Sequence, residues 1–202
     1  MSEPATQPPR RGRPRGSMRE RILDVALDLF NEHGYDATSL REIAQRLGVS
    51  KAALYYHFEQ KADIMVALHQ RFHRIGQALL EEFAARSAEA DPVRLWLELL
   101  DEFIDGVVAN RELVMMHQRN SQALRRIVGD TPENHADHED MEEALRAMLA
   151  DPRISLRQRV RLATSIDAVV SVLVDIEGYF GDVPLDQRAA LVRDVARELL
   201  AA

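Results

Sequence analysis

Ser39-Leu40-Arg41-Glu42-Ile43-Ala44-Gln45-Arg46-Leu47-Gly48-Val49-Ser50-Lys51-Ala52-Ala53-Leu54-Tyr55-Tyr56-His57-Phe58, residues 39 to 58, is the stretch on which the reading of this chain turns. Ser39 followed three residues later by Glu42 is a capping box, so the pattern predicts a helix starting at about Ser39. Leu40, Ile43, Ala44 and Leu47 recur at helical spacing, and Gly48 supplies a residue able to adopt the left-handed conformation that ends a helix. Ser50 caps a second helix after a turn of only a few residues. In it Ala53, Leu54 and Phe58 point inward and Lys51, Ala52, Tyr55, Tyr56 and His57 mostly outward. Two short helices across a tight Gly-containing turn form a helix-turn-helix.

The second helix has the chemistry of a DNA-reading element. Small side chains at Ala52 and Ala53 allow close approach to base edges, where a thymine methyl packs. Lys51, Tyr55, Tyr56 and His57, with Lys61 just beyond, place donors along the exposed side, within reach of phosphate oxygens when the helix lies in the major groove. A buried aromatic cluster is the plainer alternative. Two consecutive tyrosines and a histidine cannot all face inward from one helix.

Thr38 to Ala44, Leu47-Gly48-Val49-Ser50, and Leu54-Tyr55-Tyr56-His57-Phe58 with Lys61 resemble the DNA-binding domain of TetR-type transcriptional repressors, over about residues 18 to 65. The resemblance implies a homodimer with a DNA-binding head and a divergent helical body that senses a small molecule. Ser39, Arg41 and Ser50 then join Lys51, Ala52, Ala53, Tyr55, Tyr56, His57 and Lys61 as candidate DNA contacts.

With 202 residues, 46% of them hydrophobic, the chain is long enough to bury a real core. Cysteine is absent, which excludes disulfides, thiolate metal sites and thiol nucleophiles. The longest apolar run, Ala168 to Val174, is far shorter than the ~18 residues a membrane span needs, and nothing reads as a signal peptide, so a cytoplasmic protein is expected. The net charge of −7 argues against nucleic acid only until its distribution is considered. Residues 1–70 hold 10 basic and 9 acidic side chains, and residues 71–202 hold 16 and 24.

The positive field gathers at one end. Arg10-Arg11-Gly12-Arg13-Pro14-Arg15-Gly16 follows a Pro-rich polar lead with no means of packing. Its core, Arg11 to Pro14, resembles an AT-hook, and Arg11, Arg13 and Arg15 are candidate minor-groove contacts. A solvated tail attracted to phosphates without base preference is the alternative.

The expected fold is all-α: a disordered basic arm over 1–16, a three-helix helix-turn-helix head over 17–61, and a helical ligand-binding and dimerisation body over 62–202. Ser17 with Glu20 opens the first helix, and Gly34 ends it. A long helix from about Ala62 to Ala85 links head to body. It carries His69 and His73 four residues apart, a spacing that clamps a metal, though no third ligand is evident in sequence. Asp91-Pro92 starts the next helix, Arg111 to Val128 reads as one further helical stretch, and another runs from near Asp137 to Ala150.

Trp96, Phe103, Met115, Met116 and His117 are the candidate effector-pocket residues, against the alternative of plain core packing. Ser155 caps a helix predicted to reach Glu177 before Gly178 stops it, and a final helix follows Pro184. Ile166, Val170, Leu173 and Val174 on the first of these, with Leu191, Val195 and Leu199 on the last, are the candidate dimer interface, which the resemblance also places on the last two long helices. Asp167, Ser171 and Asp175 recur every four residues and read as a solvent-facing edge, against the alternatives of a cation, a polar cavity, or pairing with Arg157, Arg161 or a second subunit.

His135-Ala136-Asp137-His138-Glu139-Asp140 is the constellation that suggests catalysis, by a metal-dependent hydrolase, against the alternative of an acidic helix start. A DNA binder that uses the arm without sensing anything is a third possibility. The reading preferred over both is a non-enzymatic regulator, without cofactor or metal, that pairs with itself, binds an operator in double-stranded DNA and responds to a small-molecule effector.

Overall fold

A computed structural model describes residues 17–87, 90–128 and 145–201, and all regular structure among them is helical. The helices are α1 (Met18–His33), α2 (Leu40–Leu47), α3 (Lys51–Tyr55), α4 (Lys61–Ser87), α5 (Pro92–Ala109), α6 (Arg111–Arg119), α7 (Ser121–Val128), α8 (Leu156–Val174) and α9 (Leu185–Ala201). Residues 145–149 are also helical. The Arg11, Arg13 and Arg15 arm, the His135/His138 cluster and the start of the helix expected from Asp137 lie outside the described residues.

Local capping starts the helices where the residue types demand. The hydroxyls of Ser17, Ser39 and Ser50 accept from the amides of Glu20 (3.3 Å), Glu42 (3.2 Å) and Ala53 (3.1 Å), and the Asp91 carboxylate accepts from Arg94 (2.9 Å). Each such cap is worth about 1 kcal/mol. Only the hydroxyl half of the two expected boxes is among the described bonds. Glu42 instead lies 3.6 Å from His33, and Glu20 lies 4.0 Å from Arg71. The complete reciprocal box is at Ser155 and Gln158. Gly48 ends α2 at φ 74°, in the left-handed region that an L side chain seldom enters.

Two apolar clusters organise the molecule. The first packs Ile22, Leu29 and Phe30 of α1 against Ile43, Leu54 and Phe58, and draws in Ile64, Met65 and Leu68 from α4 and Leu113, Met116 and Leu124 from α6 and α7. The head therefore shares its core with the body. The second fills the body with Trp96, Leu99, Leu100 and Ile104 of α5, Leu162, Val169 and Leu173 of α8, and Val192 and Ala196 of α9. Phe72 packs against both clusters.

Two boundaries differ from expectation. The helix predicted over Arg111 to Val128 breaks at Asn120, whose buried side chain takes on backbone groups of the head. The helix predicted to reach Glu177 stops at Val174, because Asp175 adopts a left-handed φ of 52° and the Arg111 guanidinium donates to the carbonyls of Leu173 (2.8 Å) and Val174 (2.7 Å). A cation on the last carbonyls of a helix satisfies acceptors that have no partner within it.

Candidate nucleic-acid interface and effector cavity

Leu54 and Phe58, fully or almost fully buried, anchor α3 to the head and thereby fix which side of it meets solvent. Lys51 and Ala52 are exposed, Ala53 and His57 partly so, and Tyr55 is 41% and Tyr56 87% exposed. A tyrosine left that far in water contributes nothing to the core, whereas its hydroxyl and ring suit a nucleic-acid backbone. Lys51 Nζ lies 5.2 Å over the Tyr55 ring, and Tyr56 meets His57 edge to face at 5.2 Å, so the outer face is held as a set. Ser39 and Ser50 are exposed helix caps, and Arg41 is exposed on α2 beside them.

Lys61 is a correction. Its ammonium donates to the carbonyls of Tyr35 (2.6 Å), Thr38 (2.8 Å) and Asp36 (3.5 Å) and sits 4.0 Å over the Tyr35 ring. All of its donors are thus spent inside the head, tying the loop before α2 to the start of α4. Desolvation pushes the Lys61 ammonium pKa down and the Tyr35 phenol up, as expected for a partly buried cation stacked on a ring.

The body holds a cavity of about 700 Å³ that is open to solvent on one side. Phe72, Ile75 and Leu79 of α4, Trp96 and Phe103 of α5, His117 of α6, and Ile166 and Val170 of α8 line it, with Glu102, Gln118, Asp167, Ser171 and Asp175 as polar groups. Trp96 and Phe103 stand 5.5 Å apart between centroids. Trp96 Nε1 is buried and has no hydrogen-bond partner among the described residues.

Of the five sequence-predicted pocket residues, Trp96, Phe103 and His117 come together here, and the two methionines do not. Met116 is fully buried in the head's core and Met115 packs in the body core. The dimer candidates divide in the same way. Leu173 and Val174 are fully buried in their own subunit and so cannot form an interface, and Ile166 and Val170 line the cavity. Leu191 (56%) and Val195 (48%) remain exposed, beside half-buried Leu199.

Asp167 and Ser171 are exposed, as a solvent-facing edge requires, whereas the Asp175 carboxylate is buried. All three line the cavity, and the Asp175 carboxylate, 5% exposed, lies 3.4 Å from Arg188 and accepts from the Phe180 amide at 3.2 Å. Removing either partner of such a buried pair leaves an uncompensated charge.

Sequence reasoning missed Asn120. Its Oδ1 accepts from the Tyr35 amide (2.7 Å), and its Nδ2 donates to Met116 O (2.9 Å) and Phe30 O (3.4 Å). Around it, Asn31 donates to Glu112 O (2.9 Å), Arg119 donates to Asn31 O (3.0 Å) and Arg126 pairs with Asp36 (2.9 Å). Thus α6 caps α8 through Arg111, touches the cavity through His117 and grips the head through Asn120. The only signal for this in sequence was a polar Asn within an apolar-patterned stretch.

Residues 22–68 match the family model described as bacterial regulatory proteins, tetR family. The chain is 37% identical over 100 residues to the HTH-type transcriptional regulator AcrR of Shigella flexneri, covering 48% of this chain and 46% of that protein. It is 49% identical over 47 residues to the biofilm operon icaADBC HTH-type negative transcriptional regulator IcaR of Staphylococcus aureus, covering 23% of this chain and 25% of that one. The matches span about half the length of these curated relatives or less. Among solved structures, the ketosteroid transcriptional regulator KstR2 of Mycobacterium tuberculosis has the same fold, with a TM-score of 0.70 at 21% identity over 92% of this chain and 94% of that one. A transcriptional regulator of the TetR/AcrR family from Thermobifida fusca is 27% identical over 90% of this chain and 96% of that one, with a TM-score of 0.53. Among the described residues no helix is long and apolar enough to cross a membrane.

Proposed function

We propose that the chain, whose residues 22–68 match the tetR family model, is a homodimeric, sequence-specific DNA-binding repressor released from its operator by a lipophilic small molecule held in the body cavity. The observation that carries the DNA half is the outer face of α3, where Lys51, Tyr55 and the 87% exposed Tyr56 project from a helix clamped by Leu54 and Phe58. Phosphate contacts by Lys51, Tyr55, Tyr56 and His57 set register, and Ala52 and Ala53 set the base preference. The Ser39, Arg41 and Ser50 side chains extend the contact along α2 and the turn, and Arg11, Arg13 and Arg15 reach the minor groove.

The cavity supports the sensing half. Its volume of about 700 Å³ suits a small molecule, and its apolar walls suit a lipophilic one. Such a ligand pushes on α4 through Phe72 and on α6 through His117, and α6 is bonded to the head at Asn120. Two heads engage successive half-sites only when their α3 helices sit about 34 Å apart, so a rotation of each head spoils the spacing. A ligand that prefers the rotated state ~100-fold, or about 2.7 kcal/mol, changes occupancy usefully. Leu191 and Val195, exposed on α9, are the proposed apolar centre of the dimer.

Selection of duplexes from a random library by the purified chain tests the reading. An enriched inverted repeat with half-sites about one turn apart is expected. Binding without sequence preference would leave only a general DNA binder.

A further inference from the structure

We propose that His69, His73 and His117 form a binding site for a divalent transition-metal cation of the zinc class. Their ring nitrogens all lie within 4.8 Å of one another. His69 and His73 stand four residues apart, hence on one face of α4, and are 4% and 3% exposed. His117 comes from α6, its ring stacked on His69 at 5.4 Å and on Phe72 at 4.1 Å. The third ligand that the α4 pair lacks in sequence is therefore supplied by the fold.

The donor set decides the metal class. Imidazole nitrogens suit zinc, copper and nickel, whereas calcium and magnesium take oxygen donors. Zn–N bonds of ~2.0–2.1 Å in a tetrahedron separate ligand atoms by ~3.4 Å, so the three nitrogens need to close by no more than ~1.4 Å, within reach of side-chain rotation. Phe72, packed between the two cores, already sets the His117 ring plane. Three protein ligands leave one coordination position open, and His117 is the member of the cluster that lines the cavity. Water, or a donor atom of whatever occupies the cavity, completes the sphere. A bound cation fastens α4 to α6, the two helices that connect the cavity with the head.

Zinc binding without DNA tests this independently of the regulatory reading. Full-length, untagged chain freed of metal is titrated with Zn(II) against a chromophoric chelator. One zinc per chain with a Kd below about 1 µM is expected. His117→Ala, on the most accessible member, should weaken binding at least ~100-fold, since outer-shell partners alone are worth 10–100-fold. His73→Gln should do the same, and the double variant His135→Ala/His138→Ala should bind as the wild type does. X-ray absorption of the zinc-loaded wild type should count three imidazoles, a measurement that needs no variant to fold. No uptake of zinc, fewer imidazoles, unchanged affinity in His117→Ala, or loss confined to the His135/His138 variant each overturns the proposal.

Discussion

Asn120 Oδ1 accepts the Tyr35 backbone N–H at 2.7 Å, across 85 residues of sequence, and joins the end of α6 to the loop between α1 and α2. The amide lies within the shared core, with Asn120 only 5% exposed. One side chain thus replaces the water that the Tyr35 amide would otherwise need.

Asn120→Ala is expected to lower stability by about 2 kcal/mol, the cost of orphaning the Tyr35 backbone N–H, and the melting temperature by roughly 4–8 °C. Operator binding at low temperature should survive while the response to ligand weakens, because the tie between α6 and the head is gone. Thermal melts together with gel-shift titrations check this. An unchanged melting temperature would show that the amide carries no load.

Tyr56→Ala removes a side chain with no role in the core, so stability should stay within about 0.5 kcal/mol of the wild type. DNA affinity should fall on every duplex alike, because the contact is to the backbone and not to the bases. Ala53 substitutions should instead change which base is preferred. Equal affinity of Tyr56→Ala and wild type, by fluorescence anisotropy, would remove α3 from the interface.

Lys61→Ala distinguishes an internal staple from a phosphate contact. With its ammonium bonded to the carbonyls of Tyr35 and Thr38, the substitution should lower the melting temperature first and reduce DNA affinity only as the loop loosens. Loss of affinity at unaltered stability, with the salt slope reduced by about one, would restore the phosphate role.

What was legible in the sequence was what is local. Ser17, Ser39, Ser50 and Asp91 bond three residues ahead, so residue type and spacing suffice to place the starts of α1, α2, α3 and α5. The bond from Asn120 to Tyr35, the approach of His117 to His69 and the pairing of Asp175 with Arg188 join distant segments, and no short window contains both partners. For α8 the difficulty was different. A helix apolar on most sides has more than one buried face, and periodicity does not say whether Leu173 faces its own core, Ile166 a cavity or either one a partner. The methionines failed for the same reason, Met116 belonging to the head although its neighbour His117 opens on the body cavity.

Leu191→Glu with Val195→Glu places charge where α9 now exposes apolar side chains. Neither residue is in the core, so the monomer should fold, and light scattering should report about half the wild-type mass. Operator binding should drop by orders of magnitude because two half-sites no longer belong to one particle. A variant that remains dimeric would move the interface off this face.

Trp96 offers a direct reading of the cavity, being the chain's single tryptophan, 2% exposed and part of the lining. Lipophilic compounds that enter should alter its emission, and a screen by fluorescence needs no operator. Trp96→Ala would empty a well-packed site at a cost of about 3–5 kcal/mol, which confuses folding with binding. Phe103→Ala is the cleaner change, because Phe103 is only half-buried and stands 5.5 Å from the indole. It should leave the helical content intact, shift the emission of the ligand-free protein slightly, and weaken compounds that perturb Trp96 by about tenfold, the equivalent of ~1.4 kcal/mol of lost apolar contact. Binding unaffected by Phe103→Ala would place the ligand elsewhere in the body.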